Sequence, residues 1–237
     1  MNIRSLVSQK DAVSAYLSLI RPVVLCLTET WLDNTITDND ISFFEYHVPW
    51  RLDRNRHGGG CAIYVRTDFH AVRLIEFEEA TFEIHAIRLT LMNQQHVTIL
   101  NIYRPKATTM QRLLARLSTI LDEFGKSKYK DDILLCVGDL NAHFQPWAKS
   151  TVPSTKEGIL LDEFLESMNF SQLVSGVTRV ASETCLDLVI TMNSLFVKNV
   201  IIEPPLSNSD HSFVEFDLNL NITRKNKIIR IVYDYGP

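Results

Sequence analysis

Ile133-Leu134-Leu135-Cys136-Val137 runs directly into Gly138-Asp139-Leu140-Asn141, and the architecture of the chain can be worked out from this stretch. A short continuous apolar run that ends at a turn-forming glycine is typical of a strand buried on both faces. Upstream, apolar residues recur with helical spacing over 110–124, which predicts an amphipathic helix that ends at Gly125. A buried strand that follows such a helix predicts an α/β domain, in which ligand sites form where strands end.

The same two patterns recur along the rest of the chain. Apolar or alternating runs predict strands at 23–27, 61–65, 82–91, 97–103, 186–191 and 213–218, and helical spacing predicts helices at 10–20 and 158–168. The triple glycine Gly58-Gly59-Gly60 predicts a turn, because it lacks the Lys-Ser/Thr of a phosphate-binding loop. Interleaved strands and helices predict a four-layer α/β sandwich, with two packed mixed sheets flanked by helices.

Composition and charge are those of a globular domain. The chain has 237 residues, of which 46% are hydrophobic, so it can bury a sizeable core, and no linker-like segment divides it. The formal charge of −4 argues against tight non-specific wrapping of nucleic acid but permits a local basic rim. The four cysteines form no Cys-x-x-Cys pair and are expected to be buried, reduced thiols. We expect no secretion signal and no membrane span.

Four acidic residues lie at the ends of predicted strands or inside them: Glu29, Asp139, Asp187 and Asp210. Carboxylates buried near one another are costly unless a cation or protons neutralise them. Mg²⁺ prefers oxygen ligands and keeps several waters, so one or two carboxylates suffice to hold it. The tripeptide Ser209-Asp210-His211 adds an imidazole to this set. Together these residue types predict a divalent-cation site that acts on a phosphodiester.

Each candidate also has a simpler interpretation. Glu29 fits a helix-start or surface acid, Asp139 fits a turn, and Asp210 fits a helix N-cap. His211 fits a core histidine with satisfied hydrogen bonds. Asp187 is harder to explain without a function, because a buried aspartate needs a partner such as a histidine or a backbone donor. The other histidines are expected at the surface or in loops, with His143 close to the site: His47, His57, His70, His85, His96 and His143.

In this order the residues resemble the exonuclease–endonuclease–phosphatase superfamily. The pattern comprises Asn2, Glu29 after a buried strand, Tyr103, Gly138-Asp139-Leu140-Asn141, Asp187, and Ser209-Asp210-His211. Within it, the chain resembles the endonuclease domain of non-LTR (LINE-like) retrotransposons of the Jockey/CR1 type. The segments that carry this narrower resemblance are Asn2-Ile3-Arg4-Ser5-Leu6, Leu27-Thr28-Glu29-Thr30-Trp31-Leu32, the triple-glycine segment 54–65, Asn101-Ile102-Tyr103-Arg104-Pro105, Ala142-His143 and Thr178-Arg179.

The resemblance implies a DNase I-like fold over 1–220 and, over 221–237, a linker toward a reverse transcriptase of the same polyprotein. It also implies a DNA endonuclease that depends on Mg²⁺, or on Mn²⁺ in its place. The nick in double-stranded DNA would leave a 3′-hydroxyl that primes reverse transcription at the target. The expected site of action is the nucleus, after synthesis in the cytoplasm, and the isolated domain is expected to be a monomer.

Roles for individual residues follow from the same resemblance. Glu29, Asp210 and Asn2 would hold the metal. Catalysis would fall to Asp139, Asn141, Asp187, His211 and Tyr103. Substrate contacts are expected from Thr178, Arg179, Ser209 and Arg104, and further phosphate contacts from Arg51, Arg54 and Arg56, for which a role as solvated surface residues is equally compatible.

Two departures from the family pattern leave other functions open. The chain has Arg4 where repair members often carry an acid, and the strand that usually precedes Asn2 is expected to be missing or reduced. The alternatives are an abasic-site repair endonuclease, a lipid or inositol phosphatase of the same superfamily, and an inert domain that binds DNA or protein.

Overall fold

The computed structural model describes residues 1–206 and 208–219. Its strands are β1 (Val24–Thr28), β2 (Trp50–Leu52), β3 (Cys61–Val65), β4 (His70–Arg73), β5 (Ile84–Thr90), β6 (His96–Tyr103), β7 (Ile133–Asp139), β8 (Ser171–Gln172), β9 (Asp187–Thr191), β10 (Val197–Glu203) and β11 (Phe213–Leu218). Its α-helices are α1 (Lys10–Ile20), α2 (Met110–Lys126), α3 (Gln145–Ala148) and α4 (Lys156–Ser167). Short 3₁₀ helices span Asp38–Ile41, Ile75–Phe77, Val180–Ser182 and Ser194–Phe196.

The larger sheet has six strands in the order β4-β5-β6-β7-β9-β8. β6 and β7 are parallel, with α2 in the crossover between them, and the other neighbours are antiparallel. Every residue of β7 is buried, as the apolar run predicts. Buried leucines of α2 and α4 belong to the same core as the strand residues of this sheet. The strands predicted at 82–91 and 97–103 are confirmed as β5 and β6, which pair as an antiparallel hairpin.

A smaller antiparallel sheet, in the order β1-β3-β2, packs against the larger one through β1 and β3. Its other side carries a second apolar cluster, in which Val13 and Leu17 of α1 are buried with Leu25 and Leu27 of β1. The layers are therefore α1, the three-stranded sheet, the six-stranded sheet, and the α2–α4 pair. The predicted α/β sandwich of packed sheets with flanking helices is confirmed.

Residues at the start of the chain lie parallel to β1. The Thr28 amide donates a hydrogen bond to the Met1 carbonyl (2.9 Å), and the Ile3 amide donates to the Thr28 carbonyl (3.0 Å). Asn2 thereby forms a parallel bridge with Thr28. At the start of the chain this isolated bridge stands where a full strand was expected to be missing or reduced, and it places Asn2 beside the end of β1.

A two-stranded antiparallel ribbon of β10 and β11 completes the fold, and β11 contacts β9 of the larger sheet. The Tyr16 hydroxyl of α1 donates to Glu215 (2.7 Å), and its ring meets that of Phe213 edge to face. The strand predicted at 213–218 is confirmed. Sequence patterns missed β10, because buried and exposed positions do not alternate along it and Lys198 and Asn199 are both exposed.

The structure corrects two predictions about individual segments. α2 does not end at Gly125 but continues to Lys126, because the Ser127 amide and hydroxyl both donate to the Phe124 carbonyl and close the last turn. Glu83 and His85, the expected polar face of the 82–91 strand, are 2% and 0% exposed. They are buried because the smaller sheet and neighbouring loops cover the face that alternation assigns to solvent.

Among the described residues, no helix is both long enough and apolar enough to cross a membrane. All four cysteines are free thiols, and three of them are fully buried while Cys26 is half-buried. The linker expected at 221–237 lies outside the described residues.

Two glycines in helices allow a test of how closely α4 packs against the loop that contains His143. A Cβ atom on Gly158 of α4 would lie 1.9 Å from the His143 carbonyl oxygen, whereas a Cβ on Gly125 of α2 would meet nothing within 4 Å. We expect Gly158→Ala to lower the free energy of unfolding by about 1–3 kcal/mol or more, because backbone must move to accommodate the methyl group. Gly125→Ala should raise it by about 0.5–1 kcal/mol, because alanine costs less entropy in a helix.

Chemical denaturation of both variants, compared with the wild type, measures these two effects. Equal stability of the wild type and Gly158→Ala would show that α4 does not pack on His143 as described.

Candidate active site

Three polar residues lie in one row across the centre of the larger sheet. In the parallel register of β6 and β7, Tyr103 is opposite Asp139, and in the antiparallel register of β7 and β9, Asp139 is opposite Asp187. Residues directly opposite one another on neighbouring strands share a face of the sheet. Strand pairing alone therefore brings together three residues that are up to 84 positions apart (187 − 103) in the sequence.

Asp139 is held by an amide on each of its carboxylate oxygens. The Asn2 side-chain nitrogen donates to Oδ2 (2.9 Å), and the Asn141 backbone amide donates to Oδ1 (2.9 Å). Asn141 can turn its amide back in this way because its backbone is left-handed, with φ of 47°. Burial, and secondarily the negative charge of Asp187, raises the pKa of the Asp139 carboxyl above its ordinary range, although His211 and Asn2 oppose the shift.

Asp187 and His211 form a buried pair. The distance between His211 Nδ1 and Asp187 Oδ2 is 2.8 Å, and the same imidazole nitrogen lies 4.0 Å from Asp139 Oδ2. Burial lowers the pKa of the imidazole, but the hydrogen bond and charge of Asp187, with Asp139 and Asp210 nearby, outweigh that effect and raise it. The imidazolium form is therefore favoured, and it compensates the two buried carboxylates.

Thr178 orients Asp187. Its hydroxyl donates to Asp187 Oδ2 (2.9 Å) and accepts from the backbone amides of Leu186 (2.9 Å) and Asp187 (3.1 Å). Thr178 is fully buried. These bonds make Thr178 a support for the aspartate, because its hydroxyl already acts as both donor and acceptor. Its contact with substrate stays a prediction.

Ser209 ties the loop that carries His211 to the start of the chain. Its hydroxyl donates to the Asn2 carbonyl (2.8 Å), and the His211 amide donates to the Ser209 hydroxyl (3.2 Å). The Ser212 amide donates to the Thr178 carbonyl (2.7 Å), which fixes the loop against the Thr178 segment. Ser209 therefore aligns Asn2 with His211, and its contact with substrate stays a prediction.

Glu29 follows β1 in a strained backbone conformation, with φ of 58°. Its Oε2 accepts from the Trp31 indole and from the Gly59 amide (2.9 Å). Burial, followed by a hydrogen bond to Glu29, raises the pKa of the Tyr103 phenol far above its ordinary value. Glu29 is thus linked through Tyr103 to the row that contains Asp139. Strain of this kind in a non-glycine residue is common at functional sites.

Asp210 is not placed as a metal ligand would be. Its carboxylate pairs with Arg4 (3.0 Å) and with Arg179, whose Nε and Nη2 lie 3.0 and 2.8 Å from Oδ2. These two cations, with His211, lower the pKa of Asp210 despite its partial burial. Asp210 therefore anchors two partly exposed arginines beside His211, and Arg4 occupies the place where we noted an acid in repair members.

Arg104 does not have the position expected of a phosphate contact. It is 3% exposed, and its guanidinium donates to the carbonyls of Leu140, Thr108 and Asn141 (2.6–2.7 Å). The Asn141 side chain returns a bond to the Arg104 carbonyl (3.0 Å). Arg104 thus shapes the turn after Asp139, because its donors are used by the backbone.

Other candidates lie away from this centre. Arg51 is held by Asp53, Asp38 and two carbonyls, and Arg56 is exposed. His143 is fully buried and receives the Cys185 amide on Nδ1 (3.3 Å), so it braces the segment before Asp187. It lies in the loop between β7 and α3, as predicted, but as a buried support and not as a surface residue.

Two buried oxygens of the site have no hydrogen-bond partner among the described residues, and they are Asn2 Oδ1 and Asp187 Oδ1. Asp139, Asp187 and His211 also offer ligand atoms that all lie within 4.8 Å of one another. Unpaired buried acceptors are costly unless a donor or a cation meets them. The oxygen-rich donor set therefore fits a hard divalent cation.

Residues 97–215, half of the chain and most of this site, match the endonuclease-reverse transcriptase family. The chain belongs to the endonuclease-reverse transcriptase family. It is thus a nuclease, a phosphodiesterase of the exonuclease–endonuclease–phosphatase superfamily. No curated protein sequence matches the chain.

Solved structures share the fold of this endonuclease-reverse transcriptase family member. The endonuclease domain of TRAS1, a telomere-specific non-LTR retrotransposon, is 14% identical with a TM-score of 0.73, covering 94% of this chain and 97% of that one. The AP endonuclease LMAP from Leishmania major is 16% identical with a TM-score of 0.72, over 92% and 86%. The 3′-5′ exonuclease NExo from Neisseria meningitidis is 20% identical with a TM-score of 0.64, over 91% and 97%.

Sequence patterns did not single out the residues that surround Glu29. Trp31 lies in a segment that carries the family resemblance, and Gly59 in the triple glycine, so both could have been linked to the site. Glu83 could not, since alternation placed it on a solvent face. Its burial depends on packing between sheets, which the local pattern does not encode.

Thr178→Val tests the support of Asp187. The substitution keeps the shape of the side chain but leaves the Leu186 and Asp187 amides unpaired, so Asp187 and His211 lose their fixed positions. We expect the nuclease rate constant to fall by about tenfold to a hundredfold. A single-turnover cleavage assay measures the effect.

Thr191→Val is the matched control. Thr191 is also buried and lies at the opposite end of β9 from Asp187. Its hydroxyl donates to the Leu134 carbonyl (2.9 Å) and accepts from the Asn193 amide (3.2 Å). It should lose comparable stability, of about 1–3 kcal/mol, without the loss in rate. Equal rate losses in the two variants would mean that general destabilisation, and not the orientation of Asp187, is responsible.

Proposed function

We propose that this domain is a divalent-cation-dependent DNA endonuclease that nicks one strand and leaves a 3′-hydroxyl, which primes reverse transcription. The observation that carries this proposal is the convergence of Asn2, Asp139, Asp187 and His211 in one buried cluster. The oxygen-rich donor set beside Tyr103 and Glu29 suits a phosphodiester, which needs positive charge and a positioned water.

Asp139 is the residue best suited to activate that water. Its two oxygens are fixed by Asn2 and Asn141, and burial keeps the carboxyl basic enough to accept a proton near neutral pH. The water proton passes to Asp139 as its oxygen attacks phosphorus. The bond from phosphorus to the 3′-oxygen then breaks, and that oxygen takes up a proton to become the 3′-hydroxyl, with the phosphate left on the 5′ end.

His211, Asn141 and Tyr103 stabilise the charge that develops on the phosphate. Asp187 holds the His211 ring by its Nδ1 and favours the imidazolium, which leaves Nε2 to face the phosphate. The Tyr103 phenol stays protonated because its pKa is raised, so it remains a hydrogen-bond donor. Fixed donors of this kind cost no reorganisation during reaction.

Glu29 and Asn2 Oδ1 are the residues that would hold the cation, with Mg²⁺ or Mn²⁺ as the ion. Asp187 and His211 are less suited to direct ligation, because their facing atoms already bond to each other at 2.8 Å. When bound, such an ion supplies Lewis-acid charge at the phosphate and the leaving oxygen. Asp210 would support the substrate side indirectly by positioning Arg4 and Arg179 for phosphate contacts.

The partners of this reaction follow from the same proposal. The substrate is double-stranded DNA, and the product end is used by a reverse transcriptase domain of the same polyprotein. This use places the reaction in the nucleus. The family description names both activities, and the TRAS1 structure is that of a retrotransposon endonuclease domain.

Abasic-site cleavage is the second candidate, favoured by the similarity to the AP endonuclease LMAP. Rates on an intact supercoiled plasmid and on a duplex with one abasic site separate the two functions. We expect nicking of the intact plasmid. Cleavage of the abasic duplex alone would assign the chain to repair, and release of inorganic phosphate from inositol phosphates without nicking would assign it to the phosphatases.

Asp139→Asn and His211→Ala test the catalytic roles. Each removes one positioned acid–base or charged group, so we expect plasmid nicking in Mg²⁺ to fall by roughly 10²- to 10⁴-fold. The control is His70→Ala, because His70 is an exposed histidine on β4 and should leave the rate unchanged. Nicking by Asp139→Asn at the wild-type rate, or wild-type nicking that persists in excess chelator, would contradict the mechanism.

A further inference from the structure

We propose that Glu83 is a positioning residue for the cation site, which it serves by fixing the triple-glycine turn that holds Glu29 and the strand end that carries Tyr103. This inference rests on the proposed function, since it concerns the same cation. Glu83 comes from the loop before β5, and its carboxylate bonds to Arg54 and the Gly60 amide and not to Asn2, Asp139, Asp187 or His211.

The carboxylate of Glu83 is buried and carries two donors. Its side chain is 3% exposed, one oxygen accepts from the Gly60 amide, and the other accepts from Arg54 Nη1 (2.8 Å). Arg54 also donates through Nε to the Gly58 carbonyl (2.9 Å). Glu83 and Arg54 therefore hydrogen-bond to the two ends of the turn, Gly60 and Gly58, and the arginine compensates the buried negative charge.

The triple-glycine turn hydrogen-bonds to Glu29 and to the two residues that follow it. The Gly59 amide donates to Glu29 Oε2 (2.9 Å), and the carbonyls of Gly59 and Gly60 accept from the amides of Trp31 (2.9 Å) and Thr30 (3.2 Å). Gly59 must be glycine here, because a Cβ atom would lie 2.5 Å from Glu83 and 2.3 Å from Arg54. A glycine turn has little stiffness of its own, so its shape depends on these external contacts.

Glu83 also reaches the second group of the site through its main chain. Its carbonyl accepts from the Tyr103 amide (3.2 Å) and from the Cys61 thiol (3.3 Å). The Arg54 guanidinium lies 5.8 Å from the centre of the Tyr103 ring. Glu83 thus supports both Glu29 and Tyr103. Its backbone is left-handed, with φ of 47°, and this conformation directs the side chain toward the glycine turn and the carbonyl toward Tyr103.

Glutamine cannot replace Glu83 in this arrangement. Both oxygens of the carboxylate face donors, whereas a glutamine amide presents one acceptor and one NH₂ group. In Glu83→Gln the NH₂ would oppose either the Gly60 amide or Arg54, so the turn would lose one of its two attachments. Residues that orient a metal ligand in this way typically alter metal affinity by about 10- to 100-fold when they are changed.

The test measures Mn²⁺ binding and Mn²⁺-dependent nicking in Glu83→Gln. Calorimetric titration with Mn²⁺, without DNA, gives the dissociation constant, and a plasmid assay gives the Mn²⁺ concentration for half-maximal nicking. We expect both values to rise by about tenfold or more. The rate at saturating Mn²⁺ should stay within a few-fold of the wild type, because the catalytic groups are untouched.

Asp132→Asn is the matched control. Asp132 is also a buried carboxylate bound by an arginine, Arg88, and by the Thr98 hydroxyl, but it lies at the opposite end of the larger sheet from Asp139. It should lose stability without a change in Mn²⁺ affinity. Unchanged Mn²⁺ affinity in Glu83→Gln would overturn the role of Glu83, and so would an equal loss of Mn²⁺ affinity in Asp132→Asn. In either case, nicking by the wild-type protein would leave the proposed function standing.

Arg54→Met carries the same test if Glu83→Gln fails to fold. The Arg54 side chain is 37% exposed, so its replacement is tolerated more readily, and it removes the other attachment of the turn. A rise of several-fold in the Mn²⁺ dissociation constant supports the proposal, and an unchanged constant overturns it. A wild-type protein that neither binds Mn²⁺ nor nicks DNA would overturn the proposed function and this inference together.

Discussion

The pairing of β7 with both β6 and β9 is the constraint on which the site depends. One register aligns Tyr103 with Asp139 and the other aligns Asp139 with Asp187. A shift of one residue in either pairing would turn the matching side chain to the opposite face of the sheet. The apolar core on both faces of β7 prevents such a shift, so the hydrophobic packing of the domain also fixes the chemistry at its edge.

The cost of burying two carboxylates in this row is offset by the groups around them. His211 provides the positive charge, Thr178 and Asn2 provide hydrogen bonds, and the paired arginines beside Asp210 extend the positive field toward the surface. Opposite charges and hydrogen bonds to the charged form are the two effects that keep a buried acid ionised. Buried acceptors of Asn2 and Asp187 remain, and under the proposed function a cation or a further donor would meet them.

Buried polar residues behind the site decide how its catalytic groups are held. Arg104, His143 and Thr178 each direct their donors or acceptors to the backbone or to Asp187, and Glu83 does so for the glycine turn. Thr178 and Arg104, which the resemblance predicts as substrate contacts, thus have internal hydrogen bonds that make them supports as well. Their polar atoms are consumed inside the protein, which a family motif or a residue type cannot reveal.

The sequence by itself determined the β7 strand, most of the other strands, the helices α1, α2 and α4, and the set of polar residues at strand ends, because apolar periodicity and turn-forming residues act locally. It could not determine that Glu83 and His85 are buried or that Arg104 faces the backbone. It also left open whether Asp210 would meet a metal or two arginines. Those outcomes depend on which face of a strand a second sheet covers and on contacts between residues as far apart as Asn2 and Ser209. Such residues meet only in the folded chain, because they come within hydrogen-bonding distance only after the intervening core has formed.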